Sequence, residues 1–340
     1  MDSITQITLG AAVGEAVLGK KAGNKAAGWG AAFGVLPDLD VLANPFVSDV
    51  QEIIIHRGIS HSLFFSVVAA PLFGWLLYKR YKNQNTSWKE WSLLVFFVIL
   101  THIFIDACTG YGTQVFQPFS NYSLSFNTIF IIDPFYTVPL MIGILGALFA
   151  RRNSANRRWA NYIGLGISSI YLLSGFLIKS HVNSVYEQNF KEQQITVDRY
   201  MTTPMPFTEF LWVAYAKSGD TIYTGLYSIF DDDKDIGFQK VDMNSHLIKE
   251  YKNQLPVERI LWFSHGYYAA SETNEGLFMH DLRFGRSDQW LTEGPAAFVW
   301  NYRLKLSDDS TRVTGFTHLE PDLDFSSERF SKLIDRILGD

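Results

Sequence analysis

The sequence has a single cysteine, Cys108, in 340 residues, so it can form no internal disulfide and its cysteine usage is silent on redox compartment. A dominant charge is also missing. The formal net charge is -5, which offers no overall basic field, and nucleic acid is not an expected partner. Internal repeats and low-complexity tracts are absent. Only Asp2, with no Lys or Arg, precedes the first apolar run, which does not fit a cleaved signal peptide. Charge is scarce in residues 1–182 except in short clusters, whereas residues 183–340 carry it throughout. This asymmetry predicts a transmembrane helical domain over 1–182 and a water-soluble domain over 183–340.

Four apolar segments have the length of membrane spans: Ser62 to Tyr78, Trp91 to Ala107, Pro134 to Ala150 and Trp159 to Ile178. Each runs for about 17–20 residues, enough for a hydrocarbon core about 30 Å thick. Two earlier segments, Ile4 to Leu18 and Ala26 to Leu36, are shorter and rich in small residues. Gly10 and Gly14 sit one helical turn apart, as do Gly30 and Gly34, a spacing that lets helix backbones approach closely. The two are expected to form a tight hairpin that need not span fully, or else a pair of soluble Ala/Gly helices. The expected architecture is a mainly α bundle of about six helices followed by a soluble α+β domain.

Lys and Arg collect in alternate loops. Lys20, Lys21 and Lys25 follow the first helix, Lys79, Arg80, Lys82 and Lys89 the third, and Arg151, Arg152, Arg157 and Arg158 the fifth. The intervening loops carry Asp38, Asp40, Asp49 and Glu52, with Arg57 as the single basic residue. Short basic loops stay cytoplasmic. The chain is therefore expected to be a multi-pass protein of the cell (plasma or inner) membrane, in contact with membrane lipid, with both termini and the soluble domain outside the cytoplasm.

In that domain, Trp212 to Lys217 and Ile222 to Ser228 flank Ser218-Gly219-Asp220, a hairpin signal. Gly276 to Phe284 and Ala297 to Leu306 alternate like strands, and Ser326 to Leu338 has helical spacing with Ser326 or Ser327 as cap. His246, His265, His280 and His318 show no ligand spacing and are read as structural. His280 and its neighbour Asp281 point to opposite faces of the expected strand.

Ionisable residues at membrane depth are costly and usually functional. Here they gather at one end: Leu36-Pro37-Asp38-Leu39-Asp40 after the second helix, His56-Arg57-Gly58-Ile59-Ser60-His61-Ser62 before the third, and His102 and Asp106 at the close of the fourth. His102 and Asp106 share a helix face one turn apart. His56 and His61 have a glycine between them, so a bent loop could aim both at one centre. Asp38 and Asp40 add oxygen ligands. Imidazole with carboxylate suits a divalent metal, zinc first, manganese or iron as alternatives. A metal in such a site activates water near neutral pH. Candidate ligands are Asp38, Asp40, His56, His61, His102 and Asp106. Arg57 is the candidate for holding and stabilising an anionic substrate, and Asp40, if not a ligand, is the candidate general base.

Blander readings stand beside these. In these, Asp38 and Asp40 are helix-ending loop residues, His56 is a surface histidine, His102 and Asp106 are a hydrogen-bonded pair, and Arg57 is a headgroup anchor. Asp133 before Pro134 is expected to cap the fifth helix. Glu15 is expected to reach Lys20 or Lys21. Cys108, though near Asp106, is not expected to be a ligand.

The run Met1-Asp2-Ser3-Ile4-Thr5-Gln6, the Leu36–Asp40 and His56–Ser62 motifs, and His102/Asp106 followed by Thr109-Gly110 together resemble the YdjM-like family, over roughly residues 1 to 150. The resemblance implies a bacterial or archaeal plasma membrane and metal-dependent hydrolase chemistry. It also implies distant similarity to the zinc-dependent phospholipase C and single-strand nuclease group. The expected function is a membrane-embedded, metal-dependent hydrolase cleaving a phosphoester of a lipid or amphipathic substrate at the outer face. The alternative is a non-catalytic membrane protein with a structural metal and a partner-binding soluble domain. A metal-ion transporter fits less well, because helices three, five and six are apolar through their middles.

Overall fold

The computed structural model describes residues 1–82, 85–286, 298–319 and 326–339. These divide into two compact units, with residues 1–45, 54–177 and 206–208 in the first and 46–53, 178–205 and 209–340 in the second.

The first unit is helical. α1 (Ser3–Ala22) and α2 (Asn24–Gly34) pack tightly as a hairpin turned at Gly23, whose φ is +61°. The close approach depends on the glycines named above. A Cβ on Gly10 would lie 2.3 Å from the Gly30 carbonyl oxygen, and one on Gly14 would lie 2.4 Å from that of Ala26. After α2 the chain enters a 3-10 segment, Pro37–Phe46, then short α3 (Asp49–Ile55) and a 3-10 turn, Ile59–His61.

α4 (Leu63–Arg80) starts at Ser62, whose hydroxyl accepts from Phe65 N. α5 (Trp88–Cys108) starts with a reciprocal Ser87/Glu90 capping box. α6 (Pro134–Phe149) starts with Pro134 in its first turn and with Asp133 accepting from Phe135 N and Tyr136 N, as expected. α5 runs through the middle of the core, with Trp91, Leu94, Val95, Val98 and Ile99 buried.

α4, α5 and α7 (Ala155–Glu192) are apolar and long enough to cross a membrane; α6, also apolar, has 16 residues and is shorter than that. α7 does not end at Ile178. It continues through the unit boundary to Glu192, because no proline or glycine interrupts Lys179 to Glu192.

The second unit holds two antiparallel four-stranded meanders. The first comprises β1 (Arg199–Pro204), β2 (Leu211–Ser218), β3 (Thr221–Ser228) and β4 (Gln239–Asp242). The hairpin expected at Ser218–Asp220 joins β2 to β3, with Gly219 at φ +59°. The second comprises β5 (Tyr268–Thr273), β6 (Gly276–Asp281), β7 (Asn301–Leu306) and β8 (Val313–Leu319). α8 (Leu255–Phe263) precedes it and α9 (Ser327–Leu338) follows, capped by Ser326.

The strand expected to reach Phe284 ends at Asp281, whose carboxylate accepts from Arg283 N and opens a 3-10 turn. β7 begins at Asn301, and Ala297, where that strand was expected to start, lies outside the described residues. His280 joins neighbouring strands: its Nε2 lies 2.7 Å from Ser271 Oγ and its Nδ1 lies 2.6 Å from Asn301 Oδ1.

Candidate metal centre

Three chain segments in the first unit bring Asp38, His61, His102 and Asp106 together, each offering one ligand atom, all within 4.8 Å of one another. Asp38 comes from the first turn of the 3-10 segment, where Pro37 follows the end of α2. His61 ends the 3-10 turn before α4. His102 and Asp106 lie one turn apart on α5. His61, His102 and Asp106 are fully enclosed, while the Asp38 side chain is a quarter exposed.

The imidazole orientations follow from their outer partners. His102 Nδ1 lies 2.7 Å from the Gly34 carbonyl oxygen, which only accepts, so Nδ1 carries the proton and Nε2 presents a lone pair. His61 Nδ1 lies 3.0 Å from Ser60 Oγ and 3.5 Å from Asp40 Oδ2. Ser60 donates its own proton to Asp40, so Nδ1 of His61 is the donor there. The two Nε2 atoms then face each other at 3.1 Å. Two lone pairs in that position repel unless a cation or proton lies between them.

The donor set fits a metal ion. Asp106 Oδ2 is buried without a hydrogen-bond partner, 3.4 Å from His61 Nε2 and 3.6 Å from His102 Nε2. Asp38 Oδ1 lies 3.2 Å and 3.6 Å from the same nitrogens. Ligands at about 2.0–2.1 Å around a tetrahedral ion are separated by about 3.3–3.4 Å, inside this range. Burial opposes ionisation of Asp38, yet the His102 and His61 imidazoles beside it outweigh that and hold its carboxyl below the usual range. Burial likewise pushes the His61 imidazole down, but Asp106 and Asp38 outweigh it and raise it. The cluster favours positive charge among its carboxylates.

The remaining candidates surround this group without joining it. Asp40 lies 3.1 Å from His56 Nδ1 and accepts from Arg57 N at 3.0 Å and Ser60 Oγ at 3.1 Å. His56 thus meets Asp40 and the Tyr111 ring, 5.1 Å between centroids. Arg57 is not a free arm. It is buried at 4% exposure with φ 55°, its Nη1 donates to Thr109 Oγ1 at 3.0 Å, and its Nε lies 3.2 Å from Asp106 Oδ2. Gly58 lets the chain turn here, because a Cβ would lie 2.8 Å from the Ile54 and Ile55 carbonyl oxygens.

Sequence reasoning gives Gln6 and Thr109 no role, using both only for the resemblance. In the structure Gln6 Nε2 donates to Asp106 Oδ1 at 2.9 Å, and the Met1 amino group contacts the same oxygen. Thr109 anchors Arg57. The signal for both was their place in the quoted motifs. Glu15 is a correction: its carboxylate binds Arg157, not Lys20 or Lys21, through two 2.6 Å hydrogen bonds. Both side chains are buried, and guanidinium matches a carboxylate in two contacts where an ammonium makes one. Cys108 is buried and outside the ligand group.

Among known proteins, the chain is 31% identical over 112 residues to the uncharacterized protein YfhP of Bacillus subtilis (strain 168), covering 32% of each chain. The chain thus spans about a third of that relative's length in the match. No solved structure matches. The model of the YdjM inner membrane protein family matches residues 1–182, which extends the resemblance beyond residue 150 and takes in every residue of the cluster. The chain belongs to the YdjM inner membrane protein family.

Proposed function

We propose that this protein is a membrane-embedded, metal-dependent hydrolase acting on a phosphoester of a lipid or amphipathic substrate. The observation that carries the reading is the convergence of two imidazole lone pairs and a buried carboxylate oxygen that accepts no hydrogen bond among the described residues on one point. Asp38, His61, His102 and Asp106 would hold the metal. A divalent ion there supplies Lewis-acid polarisation and water activation when bound.

The chain's own residues prepare that site. Asp40 and Ser60 fix the His61 ring, and the Gly34 carbonyl fixes His102, the outer contacts that orient metal-binding histidines. Arg57 offsets the Asp106 charge, its Nε 3.2 Å from Oδ2, and would act on a phosphoryl group only through the field it adds. Asp40 acts as a positioning residue, since both its oxygens are occupied by His56, Arg57 and Ser60. Approach lies on the side of Asp38, the partly exposed ligand. Leu39 and Leu42 beside it in the chain are exposed, as are Phe116 and Phe119 in the loop whose Gln114 N donates to the Arg57 carbonyl. Such residues suit a substrate with acyl chains at the membrane–water interface.

In this reading the protein is multi-pass, and the second unit lies outside the cytoplasm. One observation favours a second reading, a structural metal. Four protein ligands can fill a tetrahedral site, and three of these four are fully buried. Chelation separates the two. The purified protein would be assayed against a panel of phosphodiester lipids, with unfolding followed in parallel. Loss of turnover with the fold intact, restored by added zinc or manganese, supports the enzyme. Unfolding on chelation, with no turnover of any substrate, supports the structural metal.

A further inference from the structure

At the end of the first unit away from the cluster, the last turn of α1 and the start of α7 enclose a cavity of about 210 Å³ lined by Glu15, Lys20, Asn153, Arg157 and Arg158. We propose that this cavity binds the phosphate headgroup of an anionic phospholipid. Glu15 is the cavity's single acid, and both its oxygens are taken by Arg157, whose third contact goes to Asn24 Oδ1 at 2.7 Å. That pair cancels itself and forms a fixed wall. Lys20 and Arg158 remain, and among the described residues neither has an ion-pair or hydrogen-bond partner.

A further positive contribution comes from α7, whose N-terminal backbone N–H groups and dipole face the same end. Ser154 caps this end, its hydroxyl accepting from Arg157 N. Two cations converging on a cavity, with their local acid neutralised, match a phosphodiester anion. The surroundings favour a lipid as its source. Trp159 and Tyr162, just along α7, are 63% and 48% exposed, as is usual for aromatic rings at headgroup level. Phe149, before the loop, is 89% exposed beside the same end.

The test uses the full chain purified in neutral detergent and native mass spectrometry with an equimolar mixture of phosphatidylglycerol and phosphatidylcholine of matched acyl chains. The wild type should retain phosphatidylglycerol selectively. The double variant Lys20→Ala/Arg158→Ala should hold it about thirty-fold more weakly, the effect of two removed headgroup cations. Lys82→Ala/Lys89→Ala, which removes the same charge just after α4 and in the first turn of α5, should retain it as the wild type does. The single Arg158→Gln variant, at an exposed position, checks the result without risk to the fold. Equal retention of both lipids, or unchanged retention in the Lys20/Arg158 variants, overturns the proposal. Displacement of the lipid by millimolar inorganic phosphate, with equal protection against heat unfolding, would assign the cavity to free phosphate instead.

Discussion

The Nε2 atoms of His61 and His102 face each other at 3.1 Å, each with its Nδ1 committed to an outer acceptor. Neither ring can turn away without losing that outer bond. Asp106 Oδ2 stands close to both, buried and, among the described residues, without a hydrogen bond, with the Arg57 guanidinium 3.2 Å away. The repulsion in this arrangement is what a cation would relieve.

Arg57→Ala should destabilise the metal-free protein, by up to about 3–5 kcal/mol, because it removes the cation beside Asp106 Oδ2 and leaves the buried carboxylate only the Met1 amino group. The metal-loaded form should lose less, since the ion replaces the missing charge. Thermal unfolding with and without chelator measures both. An equal loss in the two forms would separate Arg57 from the centre.

Gly30→Ala should lower the unfolding temperature markedly, because its Cβ would lie 2.1 Å from the Gly10 carbonyl oxygen on a rigid neighbouring helix. Gly28→Ala, on the open side of α2 with nothing within 4 Å, should stabilise by up to about 1 kcal/mol. The same substitution two residues apart thus changes sign. A stabilising Gly30→Ala would mean that α1 and α2 do not pack as described.

His265 supplies a pH test in the second unit. Burial, with Arg283 and Arg199 nearby, depresses its imidazole from the ordinary 6.5 to about 4. The unfolded chain takes up a proton below about pH 6.5, while the folded one does so only near 4. Its contribution to stability is therefore present above pH 6.5 and lost as pH falls through that window. His265→Asn, which tolerates the φ of 52° at this position, should flatten the dependence. Hydrogen exchange of the β5 amides between pH 7 and 4 reads it out. An unchanged slope in the variant would assign the pH sensitivity elsewhere.

Local patterns in the sequence predict much of the first unit. The glycine spacing of α1 and α2, the Asp133-Pro134 start of α6 and the apolar runs of α4, α5 and α7 are each decided within a few residues of themselves. Partners across long sequence distances are not. Nothing near Glu15 points to Arg157, 142 residues away, when two lysines lie closer in the chain. Arg57 reads as a loop arginine because its burial depends on Asp106 and Thr109 arriving from α5 and just beyond. Asp40 and His56 look equivalent to Asp38 and His61 by composition. They differ only in that the 3-10 turns aim one carboxylate and one imidazole inward and pair the other two beside them. In the second unit the β2–β3 hairpin shows in its turn residues, whereas short β4 has no comparable mark.

The proposed orientation in the membrane rests on the basic loops alone and is open to direct labelling. Cys108 is buried, so cysteines introduced at exposed Asn156 and Asn274 would be the reactive thiols in intact cells. An impermeant maleimide should label Asn274→Cys and spare Asn156→Cys. The opposite pattern would reverse the topology and place the metal cluster at the cytoplasmic face.

Metal content per chain is the most direct measurement of the central claim. Wild-type protein and His102→Ala, purified in detergent and dialysed against trace zinc and manganese, would be analysed by inductively coupled plasma mass spectrometry. The account predicts about one tightly held divalent ion per wild-type chain and its loss from His102→Ala, with Asp40→Asn retaining metal more weakly. Full occupancy in His102→Ala, or no metal in the folded wild type, would contradict it.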